Sequence, residues 1–448
     1  MNAIFLTLII LSQICFVAAQ SIPRNHFFYQ SRKVLYDSGR DWKYLTTFGP
    51  MRFESASEDA KSSFWKNGDL SFSVNNRTFT IHALGRMEYK DHFFAYSYPQ
   101  LSRRINDEQK QITETEFTSV NSNYSGFGFK NNWILLQIGK GKESWGAGND
   151  IQLALSDKSK NYTYLLLGSD YGRIRVRYIY GFLENVRSNI NRYITARGIE
   201  WSNKKSLVIG FSETVIYSGE NRSFDIGYLN PISSHLEIEL NNRLNIIGDS
   251  NSNAVWQFHL DIIPMKNLRF SLNYLIDEFV FDPDIQLGKE HGKAYSTKLA
   301  YSPLMFQKSL LSFNLSFVHV GTPTFRHGIG TNNFVQDGIP LGWPGGSDGK
   351  EVCFGLDYYD NNNIVASLLT GYRSSGEESI NSRIFETYAD YQKGKFPSGE
   401  VVKSHFSQIN ISYNWRDCYL FSIAFENFSK RNLLLFTLSV KIPDKVIN

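Results

Sequence analysis

Apolar and polar side chains alternate with a period of two along many segments of the chain. Residues 408–416 show the pattern clearly, because polar residues separate four large apolar ones, Ile409, Ile411, Tyr413 and Trp415. Successive side chains of a β-strand point to opposite faces, so this period predicts strands with one apolar and one polar face. The same alternation recurs at 268–276, 311–317, 419–426 and 434–442.

The alternating segments are close to the ~9–11 residues that a tilted transmembrane strand needs. Polar clusters that favour turns lie between them, for example at 202–205, 219–221, 282–284 and 360–363. With roughly 20–26 residues for each strand and its connection, about 16–18 strands fit in the chain. We therefore predict an all-β protein, a large transmembrane antiparallel β-barrel with a short N-terminal periplasmic segment.

A large soluble β-sandwich or β-helix would also contain alternating strands. Composition favours the barrel, because 34 Phe, 25 Tyr and 8 Trp make 15% of the residues aromatic. Aromatic side chains form girdles at both interfaces of a barrel, and the opposite faces of these strands are polar enough for a hydrated lumen. After the first twenty residues, no segment reaches the ~18 consecutive apolar residues of a membrane-spanning helix.

The N-terminal residues differ in composition from the rest of the chain. Residues 4–11 are apolar apart from Thr7, and Val17, Ala18 and Ala19 end the segment with small side chains. This pattern predicts a secretory signal peptide at 1–19, and the segment is short for the alternative, a membrane anchor. We predict a periplasmic lead-in at 20–65 and the barrel at 66–448. The expected location is the bacterial outer membrane, with its lipid as a partner.

Charge and cysteine content exclude several classes of site. The net charge of +4 is spread along the chain, which gives no reason to expect nucleic-acid binding. Cys353 and Cys418 remain after processing and could pair, although one sequence cannot show that they are adjacent. The chain has no C-x-x-C motif and its nine histidines lack ligand spacing, so we expect neither a metal nor another cofactor.

Three arginines fall on one face of a predicted strand. Arg173, Arg175 and Arg177 alternate with Ile174 and apolar neighbours, so their side chains point the same way. Each would cost ~2–4 kcal/mol if it faced lipid near the membrane midplane, so the row is expected to face the lumen or to lie beyond the membrane. Guanidinium groups bind carboxylates and phosphates, which makes this row a candidate site for an anionic ligand. The alternative is that the arginines pair with lumenal Asp and Glu and stiffen the barrel.

Two acidic residues are further candidates for ligand binding. Glu213 lies on the same strand face as Phe211 and Val215, and a carboxylate is unusual on a face that would contact lipid. Either it lies at the water interface, or a β-bulge shifts the register there. Asp277 follows the strand at 268–276 and could bind a ligand, or it could simply lie at the rim or in the lumen.

Enzyme motifs are missing from the sequence. The chain contains no G-x-S-x-G hydrolase motif, and the glycine-rich segment 342–350 lacks the first glycine and the final Ser or Thr of a phosphate loop. We therefore expect a protein without catalytic residues.

Several segments in the same order resemble the capsule assembly Wzi family. The first contains Trp145, Gly146 and Gly148, where the family tends to show W-G-P-G, and the second ends at Asn230 and Pro231, similar to the family's Y-L-N-P turn. Ala147 replaces the family's usual proline. Similar patterns occur at 210–217, 275–279 and 321–348.

The resemblance implies an outer-membrane barrel that binds or organises capsular or other surface polysaccharide without catalysing a reaction. The candidate polysaccharide-binding residues are Arg173, Arg175, Arg177, Glu213 and Asp277, and the arginines fit this interpretation because many capsules carry uronic acids or other anionic groups. The competing hypothesis is a diffusion porin with a preference for anions. The sequence leaves the identity of the polysaccharide and the oligomeric state open.

Overall fold

We describe the protein from a computed structural model. The expected signal peptide at 1–19 lies outside the described residues, and the structure describes only part of the lead-in. The described residues are 26–39, 46–49, 64–75, 78–90, 92–104, 119–186, 189–235, 237–238, 252–277, 288–306, 309–360, 363–388, 393–416, 418–428 and 431–446.

Eighteen strands form one antiparallel sheet, and the last strand pairs with the first, so the sheet closes into a barrel. Closure leaves no unpaired edge, which a sheet inside a membrane requires. The first nine strands are β1 (Phe64–Asn75), β2 (Thr78–Tyr89), β3 (Phe93–Arg104), β4 (Ser119–Lys130), β5 (Ile134–Gly141), β6 (Tyr162–Asp170), β7 (Ile174–Phe182), β8 (Ile190–Ser202) and β9 (Leu207–Glu220).

The remaining elements complete the barrel and add one short hairpin. That hairpin is formed by β14 and β15 and lies outside the barrel sheet. The strands are β10 (Ser252–Met265), β11 (Leu268–Ile276), β12 (Lys293–Phe306), β13 (Ser309–Val320), β14 (Val335–Gln336), β15 (Ile339–Pro340), β16 (Gly349–Asp360), β17 (Ile364–Ser375), β18 (Val402–Trp415), β19 (Tyr419–Phe428) and β20 (Arg431–Val446). The helices whose bounds lie within the described residues are α1 (His26–Asp37), α2 (Ile226–Leu229) and a 3-10 helix at Gly330–Asn332.

The outer face of the barrel is apolar. The alternating residues of β18 that the sequence singled out, Ile409, Ile411, Tyr413 and Trp415, are each 40–47% exposed. Ser412 lies between them on the inner face, where its hydroxyl is 2.8 Å from that of Ser422. Large apolar side chains exposed on the outside of a closed barrel face lipid, so this is a bacterial outer-membrane protein. The predicted fold class and the range of 16–18 strands are confirmed.

The two ends of the barrel differ in the length of their connections. Short turns join strands at one end, for example at 131–133, 171–173, 203–206 and 266–267. Long connections leave the other end, at 142–161, 221–251, 277–292, 321–348 and 376–401. Outer-membrane barrels have short periplasmic turns and long extracellular loops, which assigns the long connections to the cell surface.

Much of the lumen contains protein. We call residues 26–39, 46–49, 142–161 and 321–348 the plug, because they pack against inward-facing side chains of the strands. The largest buried apolar cluster joins plug residues such as Trp145, Leu153 and Trp343 to inward residues of β3 and β5–β13, among them Ile194 and Val255. The main hydrophobic core therefore lies inside the barrel.

The described part of the lead-in belongs to the plug. Val34 of α1 packs on Leu310 and Val365, which flank short turns, so α1 lies near the periplasmic end. β1 begins at Phe64, inside the lead-in predicted at 20–65. None of the helices in the described segments is long and apolar enough to cross a bilayer.

The two cysteines that could have paired are separate. Cys353 is buried on the inner face of β16, whereas Cys418 is exposed in the turn before β19. Both are free thiols, so neither contributes a disulfide to the barrel.

Candidate functional site

The three arginines near β7 lie at the periplasmic end of the barrel. Arg173 is exposed in the short turn before β7. Arg175 and Arg177 are on the inner face of β7, as their parity predicted, and Arg177 is 6% exposed. The row therefore runs from the periplasmic surface into the lumen.

Arg175 is paired with carboxylates. Its Nε and Nη2 donate to Asp170 Oδ2 at 3.0 and 2.9 Å, and its Nη1 donates to Glu200 Oε1. Glu200 also accepts hydrogen bonds from the Thr46 hydroxyl at 2.6 Å and from the Thr47 backbone N–H at 2.7 Å. Arg175 thus helps to position the acid that holds plug residues 46–49, as the stiffening hypothesis expected.

Arg177 lies deeper in the wall. Its Nη1 donates to the carbonyl of Val176 at 3.2 Å. A Cβ at Gly168 on the neighbouring strand would come within 2.4 Å of that nitrogen, so the missing side chain of this glycine leaves room for the guanidinium.

Glu213 is on the outer face of the barrel but is 3% exposed. Its carboxylate accepts from the backbone N–H of His235 at 3.0 Å and from Trp256 Nε1 at 2.9 Å, and Arg197 Nε lies 3.2 Å away. His235 belongs to the connection after β9, which folds back along the outside wall. We call residues 222–235 and 237–238 the outer flap.

The sequence left two explanations for Glu213, a position at the water interface or a β-bulge, and the structure excludes the bulge. β9 keeps a continuous register with both β8 and β10, so no bulge moves Glu213 to the inner face. The outer flap covers it instead. Burial of a carboxylate is costly unless it is paired, and the flap supplies one of its donors.

The outer flap is anchored by tyrosines. Tyr228 of α2 is fully buried and its ring stacks on Tyr217 at 4.5 Å between centroids. Tyr178 donates its hydroxyl hydrogen to the carbonyl of Tyr228 at 2.7 Å. The family-motif residues follow directly, since Asn230 ends α2 and accepts from the backbone N–H of Ile232 at 3.1 Å, and Pro231 lies between them.

Asp277 lies at the extracellular end of β11. Its carboxylate accepts from the backbone N–H of Phe325, and its own N–H donates to the carbonyl of Gly292 at 2.8 Å. Asp277 therefore fixes the start of the extracellular connection 321–348. The five predicted binding residues occupy three separate places: the periplasmic end, the outer wall and the extracellular rim.

The motif Trp145, Gly146 and Gly148 lies in the plug. Trp145 is 2% exposed and its Nε1 donates to Glu143 at 3.2 Å. Gly146 has φ of 138° and Gly148 has φ of 78°, backbone conformations that side chains disfavour. A Cβ at Gly146 would come within 2.9 Å of Asn273 Oδ1, so this motif is a close contact between the plug and the wall.

The hydrogen bonds and the ion pair that join the plug to charged wall residues were not predicted. Tyr36 donates to Asp261 at 2.5 Å, and Arg269 pairs with the same carboxylate. Lys298 lies 3.0 Å from Asp37. The charged residues of β10 to β12 were visible on the polar face of the strands, but the plug partners of Asp261 and Lys298 lie more than 200 residues away in sequence, so periodicity could not find them.

A second set of charges joins two plug segments. Lys33 of α1 lies 2.7 Å from Asp150, and Lys158 lies 3.5 Å from the same residue. Burial alone would raise the pKa of Asp150, but Lys33, Lys158 and Lys298 hold this pKa well below its usual range. The carboxylate therefore stays ionised and keeps α1 attached to residues 142–161.

The opposite side of the lumen is less covered. We call the inner faces of β18–β20, β1 and β2 the seam side, because the last and first strands meet there. Gln408 is half-buried and donates to the exposed Glu426 at 2.8 Å. His82 stacks on Tyr98 with centroids 5.3 Å apart, and both rings are partly exposed.

No metal centre is found in the described parts of the chain, where His, Cys, Asp and Glu do not form a suitable group of three. The arrangement supports binding and positioning, since the buried acids each have donors that hold a segment of the plug or the flap.

Neither a family model nor a curated protein sequence matches the chain. Among solved structures, the chain is similar to Wzi of Escherichia coli, an outer-membrane protein involved in group 1 capsule assembly and a carbohydrate-binding β-barrel. The TM-score is 0.62, with 12% identity, over 94% of this chain and 99% of that chain. At this identity the likeness shows the fold, a large outer-membrane β-barrel.

Two porins are less similar. For OprD of Pseudomonas aeruginosa the TM-score is 0.44, with 11% identity over 87% of this chain and 96% of that chain. For a BenF-like porin from Pseudomonas fluorescens Pf-5 the TM-score is 0.46, with 8% identity over 85% of this chain and 98% of that chain.

Proposed function

We propose that the protein belongs to the capsule assembly Wzi family and binds or organises capsular or other surface polysaccharide at the cell surface, without catalysis. The observation that carries the proposal is the filled lumen. Trp145, Leu153 and Trp343 of the plug are each 2% exposed or less, and they pack in one cluster with inward residues of β3 and β5–β13. A barrel filled in this way is better suited to presenting loops at the surface than to passing solutes.

The proposed contact surface consists of the extracellular connection 376–388 and the exposed residues of plug segment 321–348, Gly328, Ile329, Asp337 and Ile339. The two segments hold each other, since Arg326 Nη1 lies 2.6 Å from Glu378 and the Tyr388 N–H donates to the carbonyl of His327 at 3.0 Å. Arg383 is partly exposed on this surface, where its guanidinium forms ion pairs with Glu377, Glu378 and Glu386. Guanidinium and phenol groups there can donate hydrogen bonds to sugar hydroxyls and carboxylates.

The predicted binding role of Arg173, Arg175, Arg177, Glu213 and Asp277 stays a proposal, and their positions refine it. Asp277 would act by positioning the extracellular contact surface. Arg175, Arg177 and Glu213 would act indirectly, by holding the plug and the outer flap. Arg173 is exposed only at the periplasmic end, so it would meet polysaccharide from that side.

Binding of extracted surface polysaccharide to the purified barrel in detergent tests the proposal. Replacing Arg383 with Gln and Tyr388 with Ala together should weaken binding about tenfold or more, because charge-assisted hydrogen bonds are lost. Lys204→Gln in a periplasmic turn is the control and should bind like the wild type. Equal binding by all three proteins would contradict the proposed contact surface, and no binding by the wild type would contradict the function.

The second candidate is a diffusion porin with a preference for anions. It is favoured by the partly exposed seam side and by Lys158, whose side chain is 49% exposed. Electrical conductance separates the two candidates, since an open lumen carries current and a filled one does not.

A further inference from the structure

A row of side chains crosses five neighbouring strands on the outer face near the extracellular end. The backbone register aligns Tyr295 with His319, His319 with Lys350, Lys350 with Ser374, and Ser374 with Lys403. All five have the parity that faces away from the lumen. Lys293 lies two residues before Tyr295 and on the same face of β12, so three lysines, Lys293, Lys350 and Lys403, point outward from this part of the rim.

The loop after β17 folds over the same place. Phe396 lies against the ring of His319 with centroids 4.3 Å apart, and His319 stacks on Tyr295 at 4.8 Å. Lys393 and Lys395 are exposed beside Phe396. The result is an aromatic stack surrounded by ammonium groups, which we call the basic rim: Lys293, Lys350, Lys393, Lys395 and Lys403 around Tyr295, His319 and Phe396.

These lysines are available for an external anion. All five are exposed, and in the described segments none of them forms an ion pair with a carboxylate. Among the described acids, Glu290 interacts electrostatically with Lys293 and Lys393. Burial raises the pKa of Glu290, and the two lysines oppose this rise.

The basic rim lies one step above the lipid-facing band. In the next outward row, Val352 is 46% exposed and pairs with Tyr372, which is 37% exposed. Below that row, Phe354 and Leu315 are 43% and 53% exposed and also pair across strands. The ammonium groups are therefore at the level where the headgroups of outer-leaflet lipids meet the protein.

We propose that the basic rim binds the phosphorylated sugar headgroup of an outer-leaflet glycolipid. Lys350 and Lys403 are two strands apart, about 10 Å, so the row can meet more than one anionic group of a single headgroup. Phosphates would lie against the ammonium groups, and the stack of Tyr295, His319 and Phe396 offers ring faces to the sugar. The site is distinct from the extracellular loops proposed to bind polysaccharide.

Lysines near a membrane surface can also reach the headgroup layer without forming a specific site. A specific site differs in two ways that can be measured. It distinguishes phosphorylated from dephosphorylated headgroups on the same acyl chains, and it depends on these lysines more than on other exposed lysines.

Native mass spectrometry of the full barrel, incubated in detergent with diphosphoryl lipid A, tests the proposal. The test variant carries Lys293→Gln, Lys350→Gln and Lys403→Gln. A matched variant with Lys90→Gln, Lys204→Gln and Lys205→Gln changes the net charge equally at the periplasmic turns. A third variant replaces the three rim lysines with Arg and keeps their charge.

We expect the wild type, the periplasmic variant and the Arg variant to retain lipid A, and the rim Gln variant to lose at least about tenfold in apparent affinity. Dephosphorylated lipid A should bind the wild type as weakly as the rim variant binds the intact lipid. Equal retention by the two Gln variants would overturn the proposal. Displacement of lipid A by millimolar inorganic phosphate would also overturn it, since the site would then take free anions.

Discussion

Inward polar residues have different bonding partners and different exposure on the two sides of the lumen. On the side formed by β9 to β12, Asp261, Arg269 and Lys298 are at most 4% exposed and bond to α1 of the plug. On the seam side, Gln408 and Glu426 bond to each other along the wall and remain partly or fully exposed. Inward polar residues of β9 to β12 thus bond to the plug, whereas those of the seam side bond to neighbouring strands of the wall.

This difference follows from the free-energy cost of burying a charged group. A water-filled lumen keeps charged side chains solvated at little cost, whereas a buried charge needs a partner with good geometry. The plugged side meets that requirement with pairs that span long sequence distances. Changes there should therefore be much more costly than equivalent changes on the seam side.

The largest expected effect follows from removing Asp261. Asp261→Leu leaves Arg269 buried without its carboxylate and removes the acceptor of Tyr36, so the free energy of unfolding should fall by about 3–5 kcal/mol. Urea unfolding of the barrel in lipid vesicles measures the change. Adding Arg269→Met to the variant should recover most of the loss, and a double variant as unstable as the single one would contradict the pairing.

A smaller loss is expected at Glu200, which holds residues 46–49. Glu200→Ala leaves the Thr47 N–H without its acceptor, while Arg175 keeps Asp170, so the cost should be about 2–3 kcal/mol. Hydrogen exchange followed by mass spectrometry should show faster exchange in the peptide that contains Thr47. Unchanged protection of that peptide would show that Glu200 does not hold the plug.

On the outside of the barrel, the outer flap covers Glu213. Trp256→Phe removes one donor to Glu213 but leaves the N–H of His235 and the charge of Arg197, so the free energy of unfolding should fall by only about 1.5 kcal/mol. The control is Phe258→Leu on the same strand, because Phe258 also faces outward but is 39% exposed to lipid. That change should alter stability by less than about 0.5 kcal/mol. Equal effects of the two changes in urea unfolding would argue against a closed flap.

The smallest effect is expected on the seam side. Ser412→Ala removes a hydroxyl pair with Ser422 within the wall, and its cost should be below about 1 kcal/mol. The same urea titration measures it. A loss as large as that of Asp261→Leu would mean that the seam side is as tightly held as the plugged side.

The strands were predictable from sequence and the plug was not. Lipid enforces a strict alternation on residues such as Ile409 and Ile411, so periodicity identified the strands and their outward faces. The plug obeys no such period, because Trp145 and Trp343 are buried in irregular segments. Its partners also lie far apart in sequence, as Tyr36 and Asp261 do.

The candidate site was predicted only in part. Parity placed Arg175 and Arg177 in the lumen, and the hypothesis that they pair with acids is confirmed for Arg175. Parity also placed Glu213 on the outer face, but it could not reveal the connection that folds over it. A sequence pattern describes the strand that carries a residue, whereas burial by a distant segment depends on tertiary packing.

Single-channel recording of the wild-type barrel in a planar bilayer tests the central claim, that the lumen is filled and the protein binds polysaccharide instead of passing solutes. A filled lumen predicts no stable conductance steps of the size given by open porins of similar strand number, in the presence or absence of polysaccharide. A steady, anion-selective conductance that polysaccharide leaves unchanged would contradict the claim and identify the protein as a porin.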